Sequence, residues 1–245
     1  MKCIFICAGY ATRLFPLTEN FPKALLEIED GKPLLDYILD EVNTIDIVDS
    51  IYLVTNDRYY NHFNNWAKNK NNIKPIKVLN DGTKTNDDRL GAIGDIKFAL
   101  DNEKINDDVI IIAGDSLFDY KLMDVINYYN MKKAPVVCAK KEVDYELLKR
   151  VAVAKVDDNN KILDFVEKPE KPDSDIAVYA TYIYPKEILR EFNNYLKSGY
   201  NPDAPGHFIE YLYKKIPTYV YQFKGNFYDV GTHESLAQVR KLYNK

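Results

Sequence analysis

Cys3-Ile4-Phe5-Ile6-Cys7-Ala8-Gly9-Tyr10-Ala11-Thr12-Arg13 reads as a short unbroken apolar strand that runs directly into a loop of small residues. An apolar run of this length with no alternation suits a strand covered on both faces, as in a parallel sheet between helices. Ile51-Tyr52-Leu53-Val54 and Val109-Ile110-Ile111-Ile112-Ala113 repeat the signature. Helical spacing lies between them: Leu34, Leu35, Ile38, Leu39 and Val42 recur three and four apart, and Ile93, Ile96, Lys97 and Leu100 follow Gly91. Strand, helix and strand in repetition predict an α/β fold with a doubly wound, mostly parallel mixed sheet and helices on both faces.

The second half changes character. Val151 to Val156 and Ile162 to Val166 flank Asp157-Asp158-Asn159-Asn160, which predicts a hairpin. Ala177 to Tyr184 predicts a further strand, Pro185 suits the first turn of a helix through Ile188, Leu189 and Phe192, and a last helix runs from about His233 to Tyr243. With no Ser/Gly-rich linker and no internal repeat, the reading is a single domain over 1–245. It has a first lobe over about 1–115 and a smaller α+β lobe over about 116–245.

Composition narrows the function. The chain has 245 residues, 46% hydrophobic and 13% aromatic, enough apolar mass to exclude disorder. A formal net charge of -4 argues against a nucleic-acid or membrane-surface binder. No apolar run approaches the roughly 20 residues that span a bilayer, and no signal-peptide core is evident at the start. Three cysteines, Cys3, Cys7 and Cys138, cannot all pair, which predicts a reduced, cytoplasmic protein.

Four segments carry chemistry. The loop Ala8-Gly9-Tyr10-Ala11-Thr12-Arg13, followed by Pro22-Lys23, lets main-chain N–H groups approach phosphate oxygens while Arg13 and Lys23 add charge. A surface loop with two solvated cations is the alternative. Ala113-Gly114-Asp115-Ser116 ends an apolar strand, where ligands bind in open α/β sheets, and a carboxylate there is a hard oxygen ligand for Mg²⁺. A turn or capping Asp is the alternative. Phe165-Val166-Glu167-Lys168-Pro169 sets a carboxylate beside an ammonium, as would an exposed ion pair at a strand end. Phe227-Tyr228-Asp229-Val230-Gly231-Thr232 leads into the last helix, with Thr232 a candidate N-cap and Ser235 three residues on.

Taken in order, these segments resemble the sugar-phosphate nucleotidylyltransferases, which join a nucleoside triphosphate to a sugar 1-phosphate and release pyrophosphate. The resemblance spans residues 4 to 240. It implies a Rossmann-like nucleotidyltransferase fold with a nucleotide-binding lobe over about 1–115 and a sugar-phosphate-binding lobe over about 116–245, catalytic roles for Arg13, Lys23 and Asp115, and Mg²⁺ held by Asp115 and Asp229. The implied nucleotide contacts are Ala8, Gly9, Ala11, Thr12, Arg13, Lys23, Asn80, Gly91 and Asp115, and the implied sugar-phosphate contacts are Glu167, Lys168 and Val178. Departures are visible. Ala11 replaces a second glycine, and Asn80 loosely replaces a glutamine in a segment, 79–92, that is longer and more polar than usual. Base and sugar identity therefore do not carry over. A cytidylyltransferase acting on phosphocholine, a non-catalytic nucleotide-sugar sensor and a glycosyltransferase are the competing readings. For the last, Asp173-Ser174-Asp175 formally matches a metal-binding motif but lies in a Pro-flanked turn. His62, His207 and His233 show no ligand spacing. Expected partners are small-molecule substrates, with a homodimer left open.

Overall fold

The computed structural model describes residues 1–243. The chain divides into two compact units. Met1–Leu90, Ile112–Leu122 and the chain from Gly225 onward build the first; Gly91–Ile111 and Met123–Lys224 build the second. The expected lobe boundary near 115 falls inside a segment of the first unit, and each unit draws on stretches distant in sequence.

In chain order, the first unit begins with β1 (Lys2–Ile6), β2 (Glu27–Glu29), β3 (Lys32–Pro33), α1 (Leu34–Asn43), β4 (Ser50–Thr55), α2 (Tyr60–Lys68) and β5 (Ile76–Asn80). After α3 (Ala92–Asn102) and β6 (Val109–Ala113) come β7 (Ser116–Phe118) and α4 (Leu122–Lys132). The second unit continues with β8 (Val136–Lys141), α5 (Tyr145–Leu148), β9 (Ala152–Val156), β10 (Ile162–Glu167), β11 (Ile176–Tyr184), α6 (Arg190–Lys197), α7 (Pro205–Leu212) and β12 (Tyr219–Gln222). The chain then returns to the first unit with β13 (Phe227–Asp229) and α8 (His233–Tyr243).

The α/β class is borne out, with a mixed sheet whose ladders differ by unit. In the first, β1, β4 and β5 pair in parallel, Phe5 opposite Leu53 and Leu53 opposite Val78. Cys3, Ile4, Phe5, Ile51, Leu53 and Val54 are fully buried, as a strand covered on both faces requires. Leu34, Leu35, Ile38, Leu39 and Val42 form the buried stripe of α1. In the second unit the ladder β10–β9–β11–β8 is antiparallel, and β12 joins β8 in parallel.

The expected hairpin is β9–β10. Its turn is closed by the Asp157 carboxylate, which accepts the N–H groups of Asn159 and Lys161, with Asn160 at φ 60°. One boundary shifts: Pro185 stands before a 3-10 turn, Lys186–Ile188, and α6 begins only at Arg190. Asp173-Ser174-Asp175 is structural, with Asp173 pairing Lys155 at 2.5 Å and Ser174 donating to the Ala154 carbonyl. Among the described residues no helix is long and apolar enough to cross a membrane.

Candidate active site

At the carboxyl ends of β1 and β6 two loops leave the first unit's sheet side by side. Gly114 N–H donates to the Ile6 carbonyl at 3.1 Å. A Cβ at Gly114 would lie 2.3 Å from Cys7 Sγ, so only glycine allows the loops to approach this closely. Asp115 therefore follows directly on the turn beside the Ala8–Arg13 loop.

That loop is held from beneath. Asn56 Nδ2 donates to the Ala8 carbonyl at 2.8 Å, and the Tyr59 hydroxyl to the Thr18 carbonyl at 2.6 Å. The Thr18 hydroxyl donates to the Ala11 carbonyl at 2.7 Å. Ala11 adopts φ 47°, ψ 44°, the left-handed region. That conformation explains why a glycine suits this position. Among the described residues the main-chain N–H groups of Gly9, Ala11, Thr12 and Arg13 make no hydrogen bond. Main-chain amides left without a protein acceptor can serve an anion. Ala8 is buried, whereas Gly9, Thr12 and Arg13 are exposed.

Lys23, carried by a 3-10 turn, reaches Asp115 with Nζ 2.7 Å from Oδ2. Its side chain is 12% exposed against 40% for Asp115, so the ammonium is the more enclosed partner of a half-buried pair. Burial works to raise the Asp115 carboxyl, but the Lys23 ammonium and the Ser116 hydroxyl outweigh it and hold the group below the usual carboxylate range.

Asp229 converges on the same place. β13 pairs antiparallel with β7, Asp229 opposite Ser116, and Val230 N–H donates to the Asp115 carbonyl at 3.2 Å. A Cβ at Gly231 would lie 2.9 Å from Arg13 Nη2 and 3.2 Å from Asp229 Oδ2, which brings the guanidinium and the second carboxylate over one glycine. Thr232 caps α8 as expected, its hydroxyl accepting Ser235 N–H at 3.2 Å. Among the described residues no cluster of three or more His, Cys, Asp or Glu side chains is arranged for a metal. Two carboxylates and a phosphate-ready loop fit Mg²⁺, which keeps waters and shares substrate oxygens.

Asn80 ends β5, but both ends of its amide are engaged: Nδ2 donates to Asp57 at 2.7 Å and Oδ1 accepts Gly82 N–H at 2.9 Å. The polar stretch after it is ordered by Asp88, which accepts from Lys84 and Thr85. Gly91 opens the second unit at φ 76°, with the Pro202 carbonyl where a Cβ would stand.

In the second unit Glu167, Ala152 and Val178 occupy one row across β10, β9 and β11. Glu167 and Val178 therefore share a face two ladder steps apart, about 10 Å. Glu167 is 9% exposed and Lys168 57%, with Lys168 Nζ 3.7 Å from Glu167 Oε1. Lys168 holds φ 50°, a strained setting that turns its side chain out of the strand register. Burial pushes the Glu167 carboxyl up, against the pull of Lys168. Several neighbours escape a reading of the sequence. A Cβ at Gly206, on α7, would lie 1.8 Å from Glu167 Oε2, and the Glu210 carboxylate accepts both Glu167 N–H at 2.7 Å and, on its other oxygen, the His207 ring at 3.0 Å. Asn56 and Tyr59 are likewise invisible in sequence, because only the fold brings them to the loop they serve.

Residues 2–245 match the family model described as nucleotidyl transferase. A protein of Sulfolobus acidocaldarius named putative mannose-1-phosphate guanyltransferase is 28% identical over 243 residues, covering 98% of this chain and 62% of that one. The bifunctional protein GlmU of Methanocaldococcus jannaschii is 29% identical over 244 residues, covering 98% of this chain and 54% of that one. The chain thus spans only part of the length of these relatives. Among solved structures, a UDP-glucose pyrophosphorylase complexed with UDP-glucose superposes with a TM-score of 0.83 at 23% identity, covering 99% of this chain and 98% of that one, which establishes likeness of fold.

Proposed function

We propose, on the premise that this chain belongs to the nucleotidyl transferase family, that it transfers a nucleoside monophosphate from an NTP to a sugar 1-phosphate, releasing pyrophosphate and forming a nucleotide sugar. The observation that carries the reading is that Lys23, Asp115 and Asp229 come together beside a loop whose main-chain amides make no hydrogen bond among the described residues. The relatives' names point to the same class of acceptor, a sugar 1-phosphate.

Both substrates are polyanions, so neutralising charge is the main task of the site. The acceptor's phosphate oxygen attacks the α-phosphorus in line. A P–O bond forms there as the bond to the β-phosphate breaks, and pyrophosphate departs with that electron pair. A phosphate oxygen is already ionised, so no side-chain nucleophile is called for. The amides of Gly9, Ala11, Thr12 and Arg13, with the Arg13 guanidinium, hold the triphosphate; Lys23 offsets charge at the reacting end. Asp115 and Asp229 would hold Mg²⁺, which when bound supplies Lewis-acid neutralisation of phosphate oxygens. In the second unit Glu167 accepts hydrogen bonds from sugar hydroxyls, Lys168 pairs with the acceptor phosphate, and Val178 forms part of the floor. The protein works in the cytoplasm on small molecules.

Pyrophosphate release measured across five NTPs against glucose, mannose and N-acetylglucosamine 1-phosphates and phosphocholine tests the reading. One NTP with one sugar 1-phosphate is expected to stand out. Asp115→Asn and Lys23→Ala are expected to lower the rate by more than about 10²-fold. Preference for phosphocholine, nucleoside diphosphate as the product, or near wild-type turnover in either variant overturns it.

A further inference from the structure

The main-chain N–H of Glu167, the residue whose carboxylate is assigned to the acceptor sugar, is held by a chain of hydrogen bonds whose direction is set at its far end. Asp203 N–H donates to Asn201 Oδ1 at 3.0 Å. A main-chain N–H cannot reverse, so the Asn201 amide nitrogen faces His207 Nε2, 3.2 Å away. That nitrogen must then be the acceptor, which leaves the ring proton on Nδ1, donated to Glu210 Oε2 at 3.0 Å. Glu210 Oε1 in turn accepts Glu167 N–H at 2.7 Å. Every link lies within the second unit, and the Asn201 end is tied to α3, because the Pro202 and Asp203 carbonyls accept Ile93 N–H at 2.9 Å and Ala92 N–H at 3.2 Å.

The end that matters is the peptide between Val166 and Glu167. β10 leaves its ladder here: Glu167 is its last residue, and Lys168 takes φ 50°. The Glu167 side chain has little freedom, bounded by Gly206 on α7 and paired at 3.7 Å with Lys168. Turning this peptide by the amount that a lost Glu210 contact permits would swing both Glu167 and Lys168 off the acceptor together. A displacement of about 1 Å at a substrate-positioning group is enough to cost 10²-fold.

We propose that Glu210 is a positioning residue for the acceptor site, held in its working form by His207 in the neutral Nδ1–H state and by Asn201. The role rests on the reading of Glu167 and Lys168 as the acceptor contacts. The chain has one polarity, donors pointing from Asp203 towards Glu210, and nothing in it can be inverted singly without setting donor against donor.

That polarity supplies the test. In Glu210→Gln the new amide can still accept Glu167 N–H only by turning its NH₂ to His207 Nδ1. The ring proton moves to Nε2 and meets the Asn201 NH₂. Adding Asn201→Asp removes the conflict, since a carboxylate at 201 accepts both Asp203 N–H and His207 Nε2–H. Using the sugar 1-phosphate that releases most pyrophosphate in the panel above, Glu210→Gln is expected to raise the acceptor KM at least about tenfold. The NTP KM is expected to stay within about twofold, and the double variant to restore the acceptor KM. Nitrogen-15 imidazole spectra, with only three histidines to assign, should show the His207 proton on Nδ1 in the wild type and on Nε2 in the double variant. An unchanged acceptor KM in Glu210→Gln, single and double variants equally impaired, or a wild-type ring protonated on Nε2 overturns the proposal. If Glu210→Gln does not fold, Asn201→Asp alone decides. A charged ring with both nitrogens protonated and a near wild-type acceptor KM supports the chain, and a ring with either nitrogen bare refutes it. Glu167→Ala separates the two levels. No rise in its acceptor KM brings down the acceptor-site reading and this role with it, whereas a rise there without one in Glu210→Gln removes the positioning role alone.

Discussion

Ala11 holds φ 47° without glycine's freedom. A left-handed residue with a Cβ costs roughly 1–2 kcal/mol, and the turn accepts this because Thr18 and Tyr59 fasten the loop on both sides. Ala11→Gly is expected to add about 1 kcal/mol of stability, read in thermal unfolding as a rise of roughly 2–4 °C for a chain of this size. A fall in melting temperature would show that the loop is not strained at this position. Glu167 has the opposite kind of tension, since burial raises its carboxyl above the ordinary range. The native state keeps this proton longer than the unfolded chain does. Stability is therefore lost as pH climbs from about 4.3, the unfolded value, through the folded one. In Glu167→Gln that loss disappears, so the gap in melting temperature, variant minus wild type, should widen from pH 4 to pH 7. A gap that narrows over this range contradicts the raised carboxyl.

Among the elements, α7 shows best how a helix serves a site without carrying its motif. Gly206 in its first turn leaves room for Glu167 Oε2, and Glu210 one turn later takes the strand's N–H. Gly206→Ala suits the helix, since alanine gains about 0.8–1 kcal/mol over glycine there, but its Cβ would displace the end of the Glu167 side chain. Stability should hold or rise while the acceptor KM increases at least about tenfold, and an unchanged KM would sever Gly206 from the site. This helix also marks the limit of reading the chain residue by residue. The apolar runs of β1, β4 and β6 and the stripe of α1 announce themselves because burial on both faces or on one stripe forces a composition. The strands β7 and β13, three residues each, are too short to show any period, yet their pairing is what brings Asp229 beside Asp115. The motif residues Arg13, Lys23, Asp115, Glu167 and Lys168 were legible as a set. Gly206 and Glu210 were not, since their partner Glu167 lies on another segment and the contact exists only after folding. Asn80 illustrates contacts that residue type does not announce: its Oδ1 accepts Gly82 N–H within its own turn while its Nδ2 reaches Asp57 on another segment.

For the molecule as a whole, the discontinuous units set what can be separated. The first needs Ile112–Leu122 and the chain from Gly225 onward, which supply β7, β13 and α8. A fragment of residues 1–115 lacks them, and with them Val230 N–H and Leu236, Val239 and Val230 from the core. Such a fragment is expected to show no cooperative thermal transition, whereas the full chain melts cooperatively and shifts upward with Mg²⁺ and the preferred NTP. A sharp transition in the isolated fragment would mean that the lobe expected over 1–115 folds by itself.

The pairing of β13 with β7 also has a consequence in time. Asp229 is translated 114 positions after Asp115, a delay on the order of 6–23 s at 5–20 residues per second. Throughout that interval the emerging chain carries Lys23 and Asp115 but neither β13 nor the second carboxylate of the pair. Under the proposed function, chemistry on nucleotides would wait until synthesis has passed Asp229, a safeguard that arises from strand order alone.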